Sequence, residues 1–277
     1  MRWVFYTLMV LGLTSPAVAA DLDVLRGPET VGPATFTRWS GFYVGGQIGV
    51  SNANANFGNA TQSLLAFSLR DSLLETDVTP SQWPVLGTAN QSTMNFGAFV
   101  GYNTQWQDLI LGMEANFNRA SFSLHAPSSP IQRTVSDTAG NAYAVGITGS
   151  GSLVGEDFAT LRIRAGWAVG NFLPYGFFGL ALGLANTSVA ATVSGTEYTS
   201  GTVGICSTST PCSPFTFTNS SSLNSAVLYG FTVGAGVDVA LTANIFLRAE
   251  FEWDQFNPPP GYSATIATGR VGAGFKF

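Results

Sequence analysis

The residues able to do chemistry in this sequence are few, and most are charges set two apart. Arg162 is followed by Arg164, and Arg248 by Glu250 and Glu252, with Glu114, Asp238 and Arg270 elsewhere on similar alternating segments. A spacing of two puts side chains on one face of a strand, so each set shares a face. Singled out this way, four acids (Glu114, Asp238, Glu250, Glu252) meet four bases (Arg162, Arg164, Arg248, Arg270). In a confined interior such charges must find partners, because an unpaired one costs several kcal/mol. The chemistry they predict is an ion-pair plug; the competing reading is a gated or ion-selective path opened by their rearrangement. Nucleophilic catalysis is poorly served. The single histidine, His125 in "SLHAPSS", has Ser121 and Ser123 nearby, but a triad also needs an oriented third group, so His125 reads as a solvated loop residue. One histidine and two cysteines match no recognised metal spacing, and the expectation is no catalytic, metal or cofactor residue. Cys206 and Cys212, in "CSTSTPC", are spaced to allow a short-loop disulfide in an oxidising compartment, with two free thiols as the alternative.

What positions these charges follows from composition. Only 10% of residues are charged, against about a quarter in a soluble domain, and Lys276 is the single lysine. A soluble surface needs more charge of both signs. The net charge of -5, with no basic run, gives no reason to expect nucleic acid as a partner. The opening "MRWVFYTLMVLGLTSPAVAADLD" has a basic residue, an apolar stretch and an A-x-A site, and is expected to be a signal peptide over 1–20, followed by a periplasmic lead-in over 21–38. Beyond it no apolar run approaches the roughly 18 residues of a membrane helix; "FFGLALGLA" at 177–185 is the longest and is broken by glycines. An exported chain with few charges and no helical span points to an all-β transmembrane barrel over 39–277, in contact with outer-membrane lipids.

Eight alternating segments are predicted: 41–54, 92–106, 109–124, 156–170, 174–193, 225–241, 244–256 and 262–277. The expected fold is therefore an eight-stranded antiparallel up-and-down barrel. Tight turns fall at 107–108, 171–173 and 242–243, and long polar loops at 58–91, 126–155 and 194–224, with a short fourth at 257–261. Every charge named above lies on the polar face of its strand. Tyr102, Trp106, Trp167, Phe275 and Phe277 lie on the apolar face near one end, and Phe251 and Trp253 near the other, as two aromatic girdles. The competing architecture is a soluble sandwich with core aromatics. In the first long loop, "SLLAFSLRDSLLE" places Leu65, Leu69 and Leu73 every four residues, which predicts a short amphipathic helix on the lipid or over the barrel mouth. A hairpin there would instead raise the strand count to ten.

"WSGFYVGGQIGVS", "FGAFVGYNTQW" running into "LILGMEANF", and the closing "RVGAGFKF" together resemble the small outer-membrane β-barrel proteins of alpha-proteobacteria, the outer-membrane immunogenic or porin-family proteins. The resemblance covers the strands and leaves the long loops uncovered. It implies insertion into the outer membrane of a Gram-negative cell by the assembly machinery, which reads a final strand ending in aromatics, here Phe275 and Phe277. Family members are described variously as structural, immunogenic or ligand-binding. The expectation is a plugged, non-enzymatic barrel with a structural, envelope-integrity role and exposed loops. The alternatives are a passive small-solute porin and a loop-based receptor or adhesin, for which the resemblance allows a haem-like ligand. A lipid-modifying enzyme is a further reading, resting on His125 alone.

Overall fold

The computed structural model describes residues 38–199, 203–204, 206–208, 211–257, 261 and 263–277. The expected signal peptide and all of the lead-in except Arg38 lie outside the described residues. Nine strands make one antiparallel sheet: β1 Gly41–Asn56, β2 Thr88–Trp106, β3 Leu109–His125, β4 Ile131–Ser136, β5 Ala142–Trp167, β6 Phe172–Tyr198, β7 Cys212–Ala240, β8 Ile245–Phe256 and β9 Ser263–Lys276. Eight of them close a ring in chain order, because β9 pairs with β1 and β3 pairs directly with β5. The ninth, β4, pairs only with β5 and stands outside the ring. Closure gives every strand of the ring two partners, so no backbone edge is left to lipid or water within it.

The tight connections gather at one end. Gln107 takes a positive φ of 54° between β2 and β3, and Val169 and Phe172 exchange backbone hydrogen bonds around Gly170, whose φ is 59°. Leu241 N–H bonds to the Ile245 carbonyl to close the third turn. Above the ring, β5, β6 and β7 run to 26, 27 and 29 residues. A membrane-crossing strand needs only about 9–11. The expected long loops at 126–155 and 194–224 are thus largely sheet: β4, the first part of β5, and the two arms of the β6–β7 hairpin.

The reason these arms escape detection lies in their side chains. In the lower part of β6, Phe178, Leu180, Leu182 and Leu184 point outward and are exposed, while the inward positions run from the buried aromatics Tyr175 and Phe177 to small residues such as Ala181. From Thr187 onward the same two faces persist but their polarity inverts. Val189, Ala191 and Val193 are buried inward, and Ser188, Thr192 and Ser194 face out. The outward face therefore passes from lipid-like to water-like surroundings along one strand, and scanning for apolar-out alternation ends where the sense changes.

The first connection is helical, so the ten-strand alternative does not form. Helix α1, Gln62–Leu69, buries Leu65 and Leu69 against the extended sheet, in a cluster with Val145, Ile147, Ala191 and Val193. The expected stripe breaks after Leu69. A separate helix α2, Leu73–Val78, begins at Ser72, whose hydroxyl accepts the Leu74 N–H at 3.1 Å, and this reset turns Leu73 outward and buries Leu74. The Ser72 cap outcompetes continuation of α1 because it satisfies a free backbone donor. The helix α1 packs against sheet rather than lying on lipid.

Leu69→Asp places a carboxylate in that apolar cluster and is expected to detach α1 from the sheet without opening the ring. Limited trypsin digestion of the folded protein should show cleavage after Arg70 rising on the order of tenfold, while the heat-sensitive gel mobility of the barrel persists. Unchanged cleavage would show that α1 is not held by this packing.

Candidate functional site

The eight singled-out charges all point into the ring, and each is at most 5% exposed. Three pairs stand directly opposite one another in register: Glu114 with Arg162, Asp238 with Arg248, and Glu250 with Arg270. The network then spreads across the lumen. Glu114 accepts from Arg162, from Arg164 Nη1 at 3.2 Å and from Arg248 Nη1 at 2.9 Å, so one carboxylate meets three guanidinium groups. Glu250 accepts from Arg162 Nη1 at 2.8 Å and from Arg270 Nε at 2.8 Å. Glu252 accepts from Arg270 Nη1 at 3.1 Å and also from Arg162. Asp238 closes the set, accepting from Arg164 Nη2 at 2.7 Å and Arg248 Nε at 2.8 Å. Forked guanidinium donors suit this bridging, since one arginine can serve two or three carboxylates at once.

Two tyrosines and a set of aromatic rings complete the network and were not singled out from the sequence. Tyr43 donates its hydroxyl to Glu114 at 2.7 Å, and Tyr175 to Glu250 at 2.7 Å. Arg162 lies 4.0 Å over the Phe177 ring, Arg164 3.7 Å over Tyr175, and Arg248 4.0 Å over Phe99. Their signal was available: Tyr43 sits at the inward parity of β1 among Gly45, Gln47 and Gly49, and Tyr175 shares the inward parity of β6 with Leu173 and Phe177. Glycine makes the room. A Cβ at Gly179 would meet the Leu161 carbonyl and the backbone of Arg162, so a side chain there would displace the central arginine.

The charges lie between two apolar layers. On the tight-turn side, Trp39, Ile110, Leu173 and Phe246 pack with the aromatic rings just named. On the far side, beyond a belt of Asn, Thr and Ser, stand Phe57, Phe122, Phe158, Leu228 and Phe256. A fifth inward acid departs from the expected balance of four against four. Asp254, the next inward position along β8 after Glu252, is fully buried, and among the described residues no guanidinium donates to its carboxylate.

The remaining predicted residues fall elsewhere. His125 ends β3 on the exposed face, with Ser123 Oγ 3.2 Å from its Nε2. Among the described residues no carboxylate hydrogen-bonds or ion-pairs with it, so the third group of a triad is not supplied there. Cys206 and Cys212 are joined by a disulfide, with Cα atoms 5.6 Å apart, at the far tip of the β6–β7 hairpin. Phe275 and Phe277 face outward in contact with each other, 5.1 Å between ring centroids. Tyr102, Trp106 and Trp167 are exposed at the same end, and Phe251 is exposed one outward position below Trp253, which packs 5.6 Å from Phe231. At the tip of the β4–β5 hairpin, burial opposes ionisation of Asp137. Hydrogen bonds from Asn141 and from the Tyr143 hydroxyl at 3.0 Å outweigh it and hold the carboxyl below the usual range. Burial, then the bond to Asp137, pushes the Tyr143 hydroxyl up.

The profile of the family described as outer membrane protein beta-barrel domain matches residues 8–277. No curated protein sequence matches the chain. Among solved structures it is similar to Ail, the attachment invasion locus protein of Yersinia pestis, with 12% identity over 86% of this chain and 99% of that one, at a TM-score of 0.30. It is similar also to Neisserial surface protein A, with 15% identity over 86% and 98% and a TM-score of 0.34. A third is the outer membrane protein OprG from Pseudomonas aeruginosa, at 10% identity over 86% and 96% and a TM-score of 0.31.

Arg162→Ala leaves Glu114, Glu250 and Glu252 facing one another across a dry interior, and is expected to lower stability by roughly 3–5 kcal/mol. Urea unfolding in lipid vesicles measures this. Arg162→Lys should recover only part of the loss, because a point charge cannot bridge three carboxylates. A loss below about 1 kcal/mol would mean the network is worth no more than an exposed ion pair.

Proposed function

The chain belongs to the outer membrane protein beta-barrel domain family, and from that premise we propose that it is a closed structural barrel that contributes to envelope integrity and carries a folded surface module. Its place is the outer membrane, with the exposed apolar belt of the ring against lipid. The observation that carries the proposal is the burial of the whole ion-pair network between two apolar layers. Charged groups buried this deeply line no water path, and an eight-stranded ring is just wide enough for side chains to fill. Conduction would require several guanidinium–carboxylate contacts to break together, each costly away from water. The terminal aromatics Phe275 and Phe277 fit recognition by the assembly machinery, and the Ser123–His125 contact has no chemical role in this reading.

A second reading is favoured by one feature. The four-stranded sheet β4–β5–β6–β7 rises above the ring, and from Ser213 to Leu228 strand β7 pairs on one side only. Such an edge offers a row of backbone donors and acceptors to an incoming strand. The barrel would then present a receptor or adhesin surface.

Two measurements separate these. In planar bilayers the refolded wild type is expected to be electrically silent, and Glu250→Gln and Arg162→Gln to produce at most brief openings; stable wild-type channels altered by either change would move the solute-pore reading to first place. Removing residues 190–220 should leave a folded barrel in the membrane. If cells carrying this shortened form adhere to host cells as well as wild type does, the surface reading fails.

A further inference from the structure

Among the described residues, the lumen holds five carboxylates (Glu114, Asp238, Glu250, Glu252 and Asp254) against four guanidinium groups (Arg162, Arg164, Arg248 and Arg270). One negative charge is left over, and its location is specific. Arg162 and Arg270 are the guanidinium groups nearest in register to Asp254, and their donors are directed to Glu114, Glu250 and Glu252. Lys276, the remaining inward cation, sits at the opposite end of β9 and donates to the Arg38 carbonyl.

The surroundings of Asp254 are oxygen-rich. Thr232 stands directly across from it on β7, and its buried hydroxyl faces no partner other than this carboxylate. On the β9 side, the Thr268 hydroxyl is engaged with Ser51 at 2.8 Å. Phe256 and Ile266 close the layer above. Three buried oxygens, two of them on a carboxylate that no arginine reaches, describe a ligand set short of one positive charge. We propose that this layer is a binding site for a monovalent hard cation of the sodium type, with the Asp254 carboxylate as its anionic ligand and the Thr232 hydroxyl as a neutral one. A divalent ion fits less well. The uncompensated charge is one, and no group of three or more acidic, histidine or cysteine ligands occurs among the described residues. The site stands whether or not the barrel conducts, since it concerns charge balance above the network.

The test compares wild type and Asp254→Asn, each refolded and assayed throughout in sodium chloride or in choline chloride at equal ionic strength and neutral pH. The readout is the unfolding midpoint from heat-dependent gel mobility. Wild type should melt higher in sodium by on the order of 5 °C, saturably with sodium concentration, as expected for a ligand bound by the native state alone. Asp254→Asn should melt at the same temperature in both salts. Equal wild-type midpoints would overturn the proposal and assign the compensating charge to a proton. An undiminished sodium shift in Asp254→Asn would overturn it by placing the effect elsewhere. Should that variant not fold, Thr232→Val decides: a weakened shift supports the site, and a full one overturns it.

Discussion

Three cross-strand pairs of opposite charge, Glu114 with Arg162, Asp238 with Arg248 and Glu250 with Arg270, stand in register inside a closed ring, and the surrounding structure is arranged so that these charges can be there. Water is excluded on both sides by apolar layers, so neutralisation has to be local. Each guanidinium therefore reaches more than one carboxylate, and each carboxylate that binds arginine accepts from more than one. The arginines alone do not exhaust the acceptors; Tyr43 and Tyr175 supply two further donors. The flat faces of the guanidinium groups, which cannot donate, rest on Phe177, Tyr175 and Phe99.

This arrangement constrains the backbone. An inward face that carried large side chains at every position could not admit four arginines, so bulk on one strand is met by glycine on the next. Gly179 beside Arg162 and Gly236 against the Tyr175 hydroxyl are two such places. The glycine content that looks like weak strand propensity is, in the ring, a record of how closely facing side chains approach. It follows that the inward face is nearly filled, and that the outward face is left to match the lipid with Leu, Ile, Val and Phe.

Above the belt the same strands serve a different solvent. Lipid no longer rewards apolar side chains on the outside, and the interior is no longer a ring closed by eight partners. The extended sheet instead buries Val and Ala inward against α1 and α2, and shows Ser and Thr to water. Asp77 of α2 accepts from the Thr138 N–H at 2.9 Å and its hydroxyl at 2.8 Å, tying the helices to the β4–β5 hairpin. The upper part is thus held as a small water-soluble domain would be, by an apolar core and polar exterior, while sharing its strands with a barrel built the other way round.

Much of this was legible in order along the chain. Spacing of two put Arg162 and Arg164, and Arg248, Glu250 and Glu252, on one face, because strand parity is local and needs no knowledge of neighbours. The tight turns and the lipid-facing aromatics follow from similarly local signals. Partner choice does not. That Glu114 meets three arginines while Asp254, two residues beyond Glu252 and of the same parity, meets none depends on strand register, which is set by closure of the whole ring. The long arms of β5, β6 and β7 look like loops in the sequence because hydrophobic alternation reports the solvent outside a strand as much as the strand itself, and here that solvent changes part-way up. Residue order alone settles which side of each membrane-crossing strand faces in. Which charges touch, where the sheet continues into water, and which acid is left without an arginine are fixed by ring closure and packing, since each of these depends on contacts between residues far apart in the chain.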